Sequence, residues 1–261
     1  MKSYDLMLAR QRHDLILDAV RGQGSVRVRA LAELLEVSDM TVRRDLDLLA
    51  ARRLVDKVHG GATRVGNQSS NEPGFQAKQR RQQAEKDRIA AAAASMVNPG
   101  SAVGLTAGTT TWSMVKYLID VPNLTVVTNS SSVAQMLYSD NRSDRTVVLT
   151  GGIRTPSDAL VGPIAKSALG RLHVDVVFMG VHGMDATVGY STPNIAEAEL
   201  NETFLRSAQR SVIVADHTKW GTRGLAQIAP LEVADLVISN SELPSAAIQT
   251  FVDNDTELLL V

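Results

Sequence analysis

The stretch from residue 37 to residue 63 constrains the fold of this chain more than any other. Ser38 has a side chain that can accept a hydrogen bond from a main-chain amide, so it predicts the start of a helix. Within that helix Val42, Leu46 and Leu49 recur at helical spacing, which predicts one buried face. The helix therefore has to pack against a partner through this face, while its other faces carry polar residues.

Two shorter helices and a hairpin are predicted around it. Residues 9 to 21 have the first helical pattern and residues 29 to 35 the second, with a short alternating strand candidate at residues 25 to 28. After the third helix, two apolar stretches flank Gly60-Gly61, and paired glycines permit the positive φ angles of a hairpin turn. The hairpin and the strand candidate would form a small wing beside a helix-turn-helix.

Polar residues at the start of the third helix predict a DNA interface. Thr41, Arg43 and Arg44 lie off the apolar face, at the end of the helix that meets base edges in helix-turn-helix proteins. The alternative is a group of solvated helices whose arginines only keep the surface soluble. We expect DNA to be contacted by residues of this helix and of the hairpin: Ser38, Met40, Thr41, Arg43, Arg44, Lys57 and His59.

These motifs resemble the signature of the DeoR family of bacterial transcriptional regulators. The resemblance rests on Val37-Ser38, on the sequence Thr-Val-Arg-Arg-Asp-Leu at residues 41 to 46, on Leu54-Val55 and on His59-Gly60-Gly61-Ala62. The family more often has Ile where this chain has Val42, a change of one methylene on a buried face. The resemblance implies a winged helix-turn-helix whose third helix enters the major groove of double-stranded operator DNA.

The charge of the chain is unevenly distributed. The formal net charge of −1 over 261 residues combines +5 in residues 1 to 88 with −6 in the remainder, and phosphates would dock at the positive part. With 44% hydrophobic residues, a chain of this length can bury one large and one small core, so we expect two domains. The absence of cysteine excludes disulfides and thiolate metal sites. No signal peptide or membrane span is recognisable, and a cytoplasmic protein is expected.

Residues 66 to 85 are predicted to link the two domains. The first half of this stretch is rich in Gly, Asn and Ser, and the second half in Gln, Lys and Arg. Lys78, Arg80 and Arg81 are candidates for contacts with DNA phosphates, and a solvated helical face is the alternative. Phe75 is expected to pack against the second domain. The prediction places a DNA-binding domain at residues 1 to 65 and an effector domain at residues 86 to 261.

The second domain alternates apolar strands with helices. Strands that are apolar throughout and separated by helices predict an α/β fold with a mostly parallel sheet covered on both faces. In such a sheet, ligands bind beyond the carboxyl ends of the strands. The strand candidates are residues 102–105, 124–128, 146–149, 174–179, 211–215, 236–239 and 257–261, and the main helix candidates are residues 89–97, 108–119, 164–172, 194–209 and 245–253.

The loops after these strands predict a phosphate site. The most informative is Gly108-Thr109-Thr110-Thr111, because a strand followed by glycine lets an anion approach the free amides of the next helix. Lys219 would add a cation from another loop. The alternative is a tight turn with a threonine cap and no ligand.

The same loops are similar to those of the DeoR effector domain, which resembles ribose-5-phosphate isomerase and the sugar-phosphate deaminases. The family usually has an acidic residue two positions before the Gly-Thr-Thr turn, where this chain has Thr106, and an acid there would suit sugar hydroxyls. Sequence and resemblance together imply an effector site for a phosphorylated sugar or related metabolite, formed by Thr106, Gly108, Thr109, Thr110, Thr111, Asn129, Gly151, Gly152, His182, Asp185, Glu197 and Lys219.

An enzyme with a DNA-binding appendage is the alternative class. A sugar-phosphate isomerase or deaminase needs a general base near the sugar carbonyl carbon, and Asp185 and Glu197 are candidates that also suit hydroxyl binding. The five histidines show no two-ligand spacing, and neither a Gly-x-Ser-x-Gly elbow nor a Walker loop is present. We therefore expect no catalytic residue, no metal and no cofactor.

The sequence is interpreted as that of a DNA-binding regulator, a repressor of carbohydrate-metabolism genes that responds to a phosphorylated sugar. A single winged helix reads few base pairs, so a homo-oligomer on repeated or inverted half-sites is expected. Dimer and tetramer both remain open at this point.

Overall fold

The computed structural model describes residues 9–23, 25–52, 54–58, 60–63, 72, 74–139 and 142–261. The chain forms two compact units, Met1–Gln68 and Ser69–Val261. Among the described residues, no helix is both long and apolar enough to cross a membrane.

The first unit is a winged helix-turn-helix, as predicted. Its three-stranded antiparallel sheet has the order β1-β3-β2, so the strand before the second helix pairs with the hairpin. The elements are α1 Ala9–Gln23, β1 Ser25–Arg27, α2 Val28–Leu35, α3 Asp39–Ala51, β2 Asp56–Val58 and β3 Gly61–Thr63.

The start of α3 and its buried face agree with the sequence. Ser38 is the N-cap, and its Oγ accepts a hydrogen bond of 3.2 Å from the Thr41 amide. Val42, Leu46 and Leu49 are fully buried in the core between the three helices. The apolar stripe therefore fixes which face of α3 is left for solvent.

The two glycines of the hairpin serve different purposes. Gly60 has a φ of +82°, which a left-handed turn position requires, and a side chain there would meet open space. Gly61 lies so close to β1 that a Cβ atom would come within 2.1 Å of the Val26 carbonyl oxygen. The expectation that both glycines supply positive φ angles is wrong for Gly61, which is needed for the close approach of two strands.

The second unit is an α/β domain built on a fully parallel sheet of seven strands. Its order is β15-β14-β12-β9-β4-β5-β6, and each neighbouring pair is parallel. The sheet strands are β4 Ala102–Leu105, β5 Thr125–Thr128, β6 Thr146–Leu149, β9 Val174–Met179, β12 Ala208–Val214, β14 Leu236–Ser239 and β15 Glu257–Leu260. All seven were predicted, within three residues at each end.

Helices cover the sheet, and the apolar residues between the layers form two buried clusters. This confirms the prediction of a parallel sheet with buried faces. The helices are α4 Phe75–Gln79, α5 Gln83–Ala94, α6 Thr109–Leu118, α7 Ser131–Tyr138, α8 Pro163–Leu169, α9 Ile195–Ser207 and α10 Ser245–Asp253, with 3-10 turns at His217–Lys219 and Leu231–Val233.

Two small antiparallel sheets were not predicted from the sequence. The first is the hairpin of β7 Ile153–Arg154 and β8 Leu160–Val161. The second has the order β10-β11-β13 and consists of Gly183–Asp185, Gly189–Thr192 and Ala226–Ala229. Of these strands only Gly183–Asp185 was interpreted as part of a loop, and that interpretation is wrong. Their glycines mark close backbone approach, since a Cβ atom on Gly189 would lie 2.3 Å from the Ala229 oxygen.

Candidate functional site

A pocket in the second unit opens at the carboxyl edge of the parallel sheet. Loops that follow β4, β9 and β12 form one side of it, and the start of α9 forms another. Of the residues predicted for the effector site, those that line the pocket are Gly108, Thr109, Thr110, His182, Glu197 and Lys219.

The start of α6 faces this pocket with unused donors. The first amides of a helix have no acceptor within the helix, and the helix dipole makes this end positive. In the described part of the chain, the hydroxyls of Thr109 and Thr110 form no hydrogen bond. Thr111 differs, because its Oγ1 donates to the main-chain oxygens of Thr106 at 2.7 Å and Gly108 at 3.0 Å. Thr111 thus braces the turn, and the two threonines before it are left for a ligand.

Two lysines line the same pocket from different parts of the chain. Lys219 comes from the turn after β12 and Lys78 from α4. Within the described residues, neither ammonium group forms an ion pair with a carboxylate. Burial, and after it the charge of Lys219, lowers the pKa of Lys78, although Glu197 opposes this. Unpaired cations beside a helix start make a site for an anion.

A third lysine lies buried behind the other two. Lys86 is only 4% exposed, and its Nζ donates hydrogen bonds of 2.6 Å to the main-chain oxygens of Lys78 and Arg81. Burial and the charge of Lys219 lower the pKa of Lys86 to about 8. The charge of Asp216 opposes the repulsion between the lysines at Lys86, and an anion in the pocket would oppose it further.

His182 is uncharged in this setting. Burial lowers its pKa to about 4, and the nearby charges of Lys219 and Lys78 contribute in the same direction. A neutral imidazole has one donor and one acceptor nitrogen, so His182 can bind a ligand hydroxyl or phosphate oxygen without adding charge.

Two carboxyl groups, those of Glu197 and Glu72, also line the pocket. Glu197 accepts hydrogen bonds from the hydroxyls of Thr155, at 2.6 Å, and Thr192, at 3.2 Å, and from that of Ser157. Burial and the charge of Glu72 raise the pKa of Glu197. Glu197 therefore holds a proton more readily than an ordinary glutamate, which suits the binding of hydroxyl groups.

Glu72 is the more acidic member of this pair. Its carboxylate accepts hydrogen bonds from the Ser157 amide at 3.1 Å and from Asn194 Nδ2 at 3.2 Å. Burial opposes ionisation, but these donors and Glu197 lower the pKa of Glu72 overall. The pocket thus has a cationic wall and a wall of hydroxyl and carboxyl groups.

Two of the other predicted effector residues position the loop that precedes α6. Thr106 is fully buried, and its Oγ1 accepts a hydrogen bond from the Gly180 amide at 3.2 Å. Asn129 Oδ1 accepts from the Ala107 amide at 2.8 Å, and Asn129 Nδ2 donates to the Leu160 oxygen at 3.3 Å. Neither residue lines the pocket, and both hold the neighbouring loops in place.

The remaining predicted residues lie in other turns. Gly151 and Gly152 have φ angles of +72° and +117° and lead into the β7–β8 hairpin. Asp185 accepts hydrogen bonds from the amides of Thr187 and Val188 and pairs with Arg223 Nε at 2.8 Å. The structure does not bring these three predicted residues into the pocket.

Several residues that line the pocket were absent from the sequence-based set. Those with polar side chains are Glu72, Lys78, Ser157, Thr192 and Asn201. Interpreting Lys78 as part of a solvated helical face is wrong, because it is half-buried in this pocket, and its contact with DNA phosphates stays a prediction. Phe75 was the one residue of this segment predicted to pack on the second domain. This prediction is confirmed by its edge-to-face contact with Trp112, with ring centroids 6.1 Å apart.

The first unit presents the predicted DNA-binding residues at one end of α3. Met40 is 75% exposed, Arg43 and Arg44 are exposed, and Thr41 is half-buried beside the Ser38 cap. Lys57 on β2 forms an ion pair of 2.5 Å with Asp47 of α3. His59 lies outside the described residues. This end of α3 therefore offers two arginines and a large apolar side chain to a partner.

Comparisons with known proteins match both units. The family model described as the DeoR-like helix-turn-helix domain matches residues 12–68, and that of the DeoR C terminal sensor domain matches residues 81–241. The chain is 35% identical over 241 residues to the HTH-type transcriptional regulator GlpR of Haloferax volcanii, covering 91% of this chain and 92% of that protein. It is 28% identical over 251 residues to the glycerol-3-phosphate regulon repressor of Escherichia coli (strain K12), covering 96% and 98%.

A weaker similarity exists to solved structures. Ribose 5-phosphate isomerase A from Methanocaldococcus jannaschii is 16% identical, with a TM-score of 0.38, over 52% of this chain and 53% of that one.

Proposed function

The chain belongs to the DeoR family of helix-turn-helix transcriptional regulators, and we propose that it represses genes of carbohydrate metabolism until a phosphorylated sugar or related metabolite binds its second unit. In this proposal α3 of the first unit enters the major groove of operator DNA. The pocket at the carboxyl edge of the parallel sheet then receives the effector. A cytoplasmic location follows from a function on DNA.

The observation that carries the effector part is the cationic wall of the pocket. Among the described residues, Lys78 and Lys219 form no ion pair within 4.0 Å, and they line the pocket together with Thr109 and Thr110 at the start of α6, whose hydroxyls form no hydrogen bond there. A phosphate group would satisfy all of these donors at once, because phosphate oxygens accept several charged hydrogen bonds. The name of the glycerol-3-phosphate regulon repressor is consistent with a phosphorylated compound in the biology of this family.

The carboxyl groups of the pocket favour a sugar or polyol attached to the phosphate. Glu72 and Glu197 supply oxygens within a network of hydroxyl groups. Hydroxyl-bearing ligands are recognised by such carboxyl and hydroxyl pairs. Thr106 stands where the family usually has an acidic residue, and it is fully buried. In our proposal Glu72 and Glu197 bind the sugar hydroxyls instead of that acidic residue.

We propose sensing rather than catalysis in this pocket. A general base has to be an ionised group free to take a proton from substrate. Both carboxyl oxygens of Glu197 already accept hydrogen bonds from hydroxyl groups of the protein, and Asp185 is paired with Arg223 outside the pocket. The alternative, an isomerase or deaminase with a DNA-binding appendage, predicts turnover of a sugar phosphate.

We also propose that the protein acts as a homo-oligomer. One recognition helix contacts too few base pairs to select one operator in a genome. Two or more copies on repeated or inverted half-sites multiply the specificity, and closed symmetry is the common way in which chains assemble.

The effector proposal is tested by a ligand panel. Purified protein is mixed with pairs of sugars, each phosphorylated and unphosphorylated, and its melting temperature and the ligand concentration are followed. We expect at least one phosphorylated member to raise the melting temperature without being consumed, and its unphosphorylated partner to have no effect. Lys219→Gln should abolish the shift, whereas Lys166→Gln, which alters an exposed lysine paired with Glu199, should retain it. Consumption of a panel member would support the enzyme alternative.

A further inference from the structure

The described residues between 72 and 86, which we call the strap, are held to the second unit mainly by polar contacts. Glu72 accepts hydrogen bonds from Ser157 and Asn194, and the Phe75 amide donates to the Pro156 oxygen at 3.2 Å. None of the residues of α4 is buried. Segments with few buried apolar contacts have low free energies of local opening, so the strap can open while the rest of the unit stays folded.

A single buried cation fixes the bend of the strap. Between α4 and α5 the main chain turns through Gln82, which has a φ of +48°. The two hydrogen bonds from Lys86 Nζ hold the oxygens of Lys78 and Arg81 just before this turn. The hydrogen bonds of Lys86 thus help to set the position of Lys78 at the pocket. The charge of Lys219 acts on the same Lys86 ammonium group.

The strap is also the part of the second unit that follows the first unit along the chain. Thr63, the end of β3, precedes Glu72 by nine residues. Glu72 and Lys78 in turn line the pocket. One short segment of the chain therefore carries two side chains that line the pocket, and it follows the helix-turn-helix directly in the sequence.

We propose that Glu72 and Lys78 are effector-binding residues, and that an anion bound between Lys78 and Lys219 closes the strap on the pocket and so reports occupancy to the first unit. This deepens the proposed function and rests on it. Without an anion, burial of the Lys78 ammonium is the largest cost of a closed strap; the charge of Lys219 adds to this cost, and Glu197 and Glu72 oppose it. An anion bound between Lys78 and Lys219 offsets the cost and favours the closed strap, and the difference in affinity between the two forms sets the size of the signal.

Hydrogen exchange of the full-length protein, with inorganic phosphate as the probe, tests the closure. We expect the amides of residues 75 to 86 to exchange several-fold more slowly when phosphate is bound. Lys78→Gln should weaken phosphate binding, measured by calorimetry, and remove this protection. Lys166→Gln, on an exposed face of α8, should change neither result.

A variant outside the pocket tests the report to the first unit. Phe75 does not line the pocket, but its ring packs on Trp112 and helps to hold the strap. We expect Phe75→Ala to bind operator DNA normally without phosphate, still to bind phosphate, and to lose most of the phosphate-dependent change in operator affinity seen in wild type. Retention of the full wild-type change by this variant would overturn the strap as the reporting segment.

The outcomes separate the two proposals. If phosphate binds but the exchange of residues 75 to 86 is unchanged, the strap inference is overturned and the proposed effector function stands. If the strap closes but wild-type operator affinity does not change, the reporting role is overturned. If neither phosphate nor any phosphorylated sugar binds, the proposed effector function fails and the inference fails with it.

Discussion

The guanidinium of Arg12 in α1 donates hydrogen bonds to both carboxylate oxygens of Asp45 in α3, at 2.8 and 3.3 Å. His13 Nε2 lies 3.1 Å from the same carboxylate, and Asp45 is only 3% exposed. The contact with Asp45 raises the pKa of Arg12, although burial opposes it. This buried cluster fixes the first helix on the recognition helix.

Asp45→Asn should destabilise the first unit. The substitution keeps the shape of the side chain but removes the buried negative charge that Arg12 and His13 contact, at a cost of about 2 to 4 kcal/mol. Asp47→Asn is the matched control two residues away, because Asp47 is 57% exposed in its pair with Lys57 and such pairs contribute at most about 1 kcal/mol. Urea unfolding of the full chain followed by circular dichroism compares them. Equal midpoints for the two variants would contradict the structural role of Asp45.

Arg43→Ala and Arg44→Ala should each weaken operator binding. Both arginines are exposed at the entering end of α3, and a base or phosphate contact contributes about 1 to 3 kcal/mol. Loss of a phosphate contact should also reduce the salt dependence of binding, whereas loss of a base contact should relax sequence preference. Gel-shift titrations at several salt concentrations distinguish the two. Arg206→Ala, an exposed arginine of α9 paired with Glu202, is the control. Wild-type affinity in both recognition-helix variants would refute this interface.

Gly61→Ala should disrupt the wing more than Gly60→Ala does. At position 60 the added Cβ meets open space, and the cost is the positive φ angle, about 1 kcal/mol. At position 61 the Cβ would overlap the Val26 oxygen, so β1 and β3 have to separate. Thermal unfolding should show a larger loss for Gly61→Ala. If Gly61→Ala lost less stability than Gly60→Ala, the close pairing of β1 with β3 at Gly61 would be contradicted.

The stability of the second unit should fall below neutral pH because of His182. Its pKa is about 4 in the folded protein and about 6.5 when unfolded, so the unfolded chain takes up the proton first as pH falls. This stability is complete above pH 6.5 and is lost as pH drops toward 4, with about 2 kcal/mol lost by pH 5. Denaturant unfolding at pH 7 and pH 5 should show a smaller change in His182→Asn than in wild type. An equal change in both would show that His182 titrates normally.

The sequence predicted those features that depend on local patterns. The Ser38 cap, the apolar stripe of α3 and the seven parallel strands follow from spacing and residue type within short windows. The small sheet of β10, β11 and β13 could not be predicted in this way. Its strands have three or four residues with many polar or small side chains, and β11 pairs with a strand more than thirty residues later.

The same limit applies to the functional residues. Lys78 and Glu72 lie in a stretch with the composition of a linker, and only partners far along the chain show their role. Glu72 is bound by Ser157 and Asn194, which are 85 and 122 residues away. Asp45 likewise has the spacing of a residue on a polar face. Its burial follows from Arg12, which lies 33 residues earlier and binds its carboxylate. The Gly108-Thr109-Thr110 turn could be proposed as a phosphate site from the sequence, because its glycine, amides and hydroxyls all lie within one loop.

The central claim is that an anion bound by Lys219 changes the affinity of the protein for operator DNA. Measuring operator affinity with and without effector tests this claim most directly. The phosphorylated sugar selected by the ligand panel should weaken wild-type operator binding about 5- to 150-fold, and operator DNA should weaken effector binding by the same factor. Lys219→Gln should keep wild-type operator affinity without effector and show no response at the same effector concentration. A full wild-type response in Lys219→Gln, or an operator affinity that no bound phosphorylated sugar changes, would contradict the account.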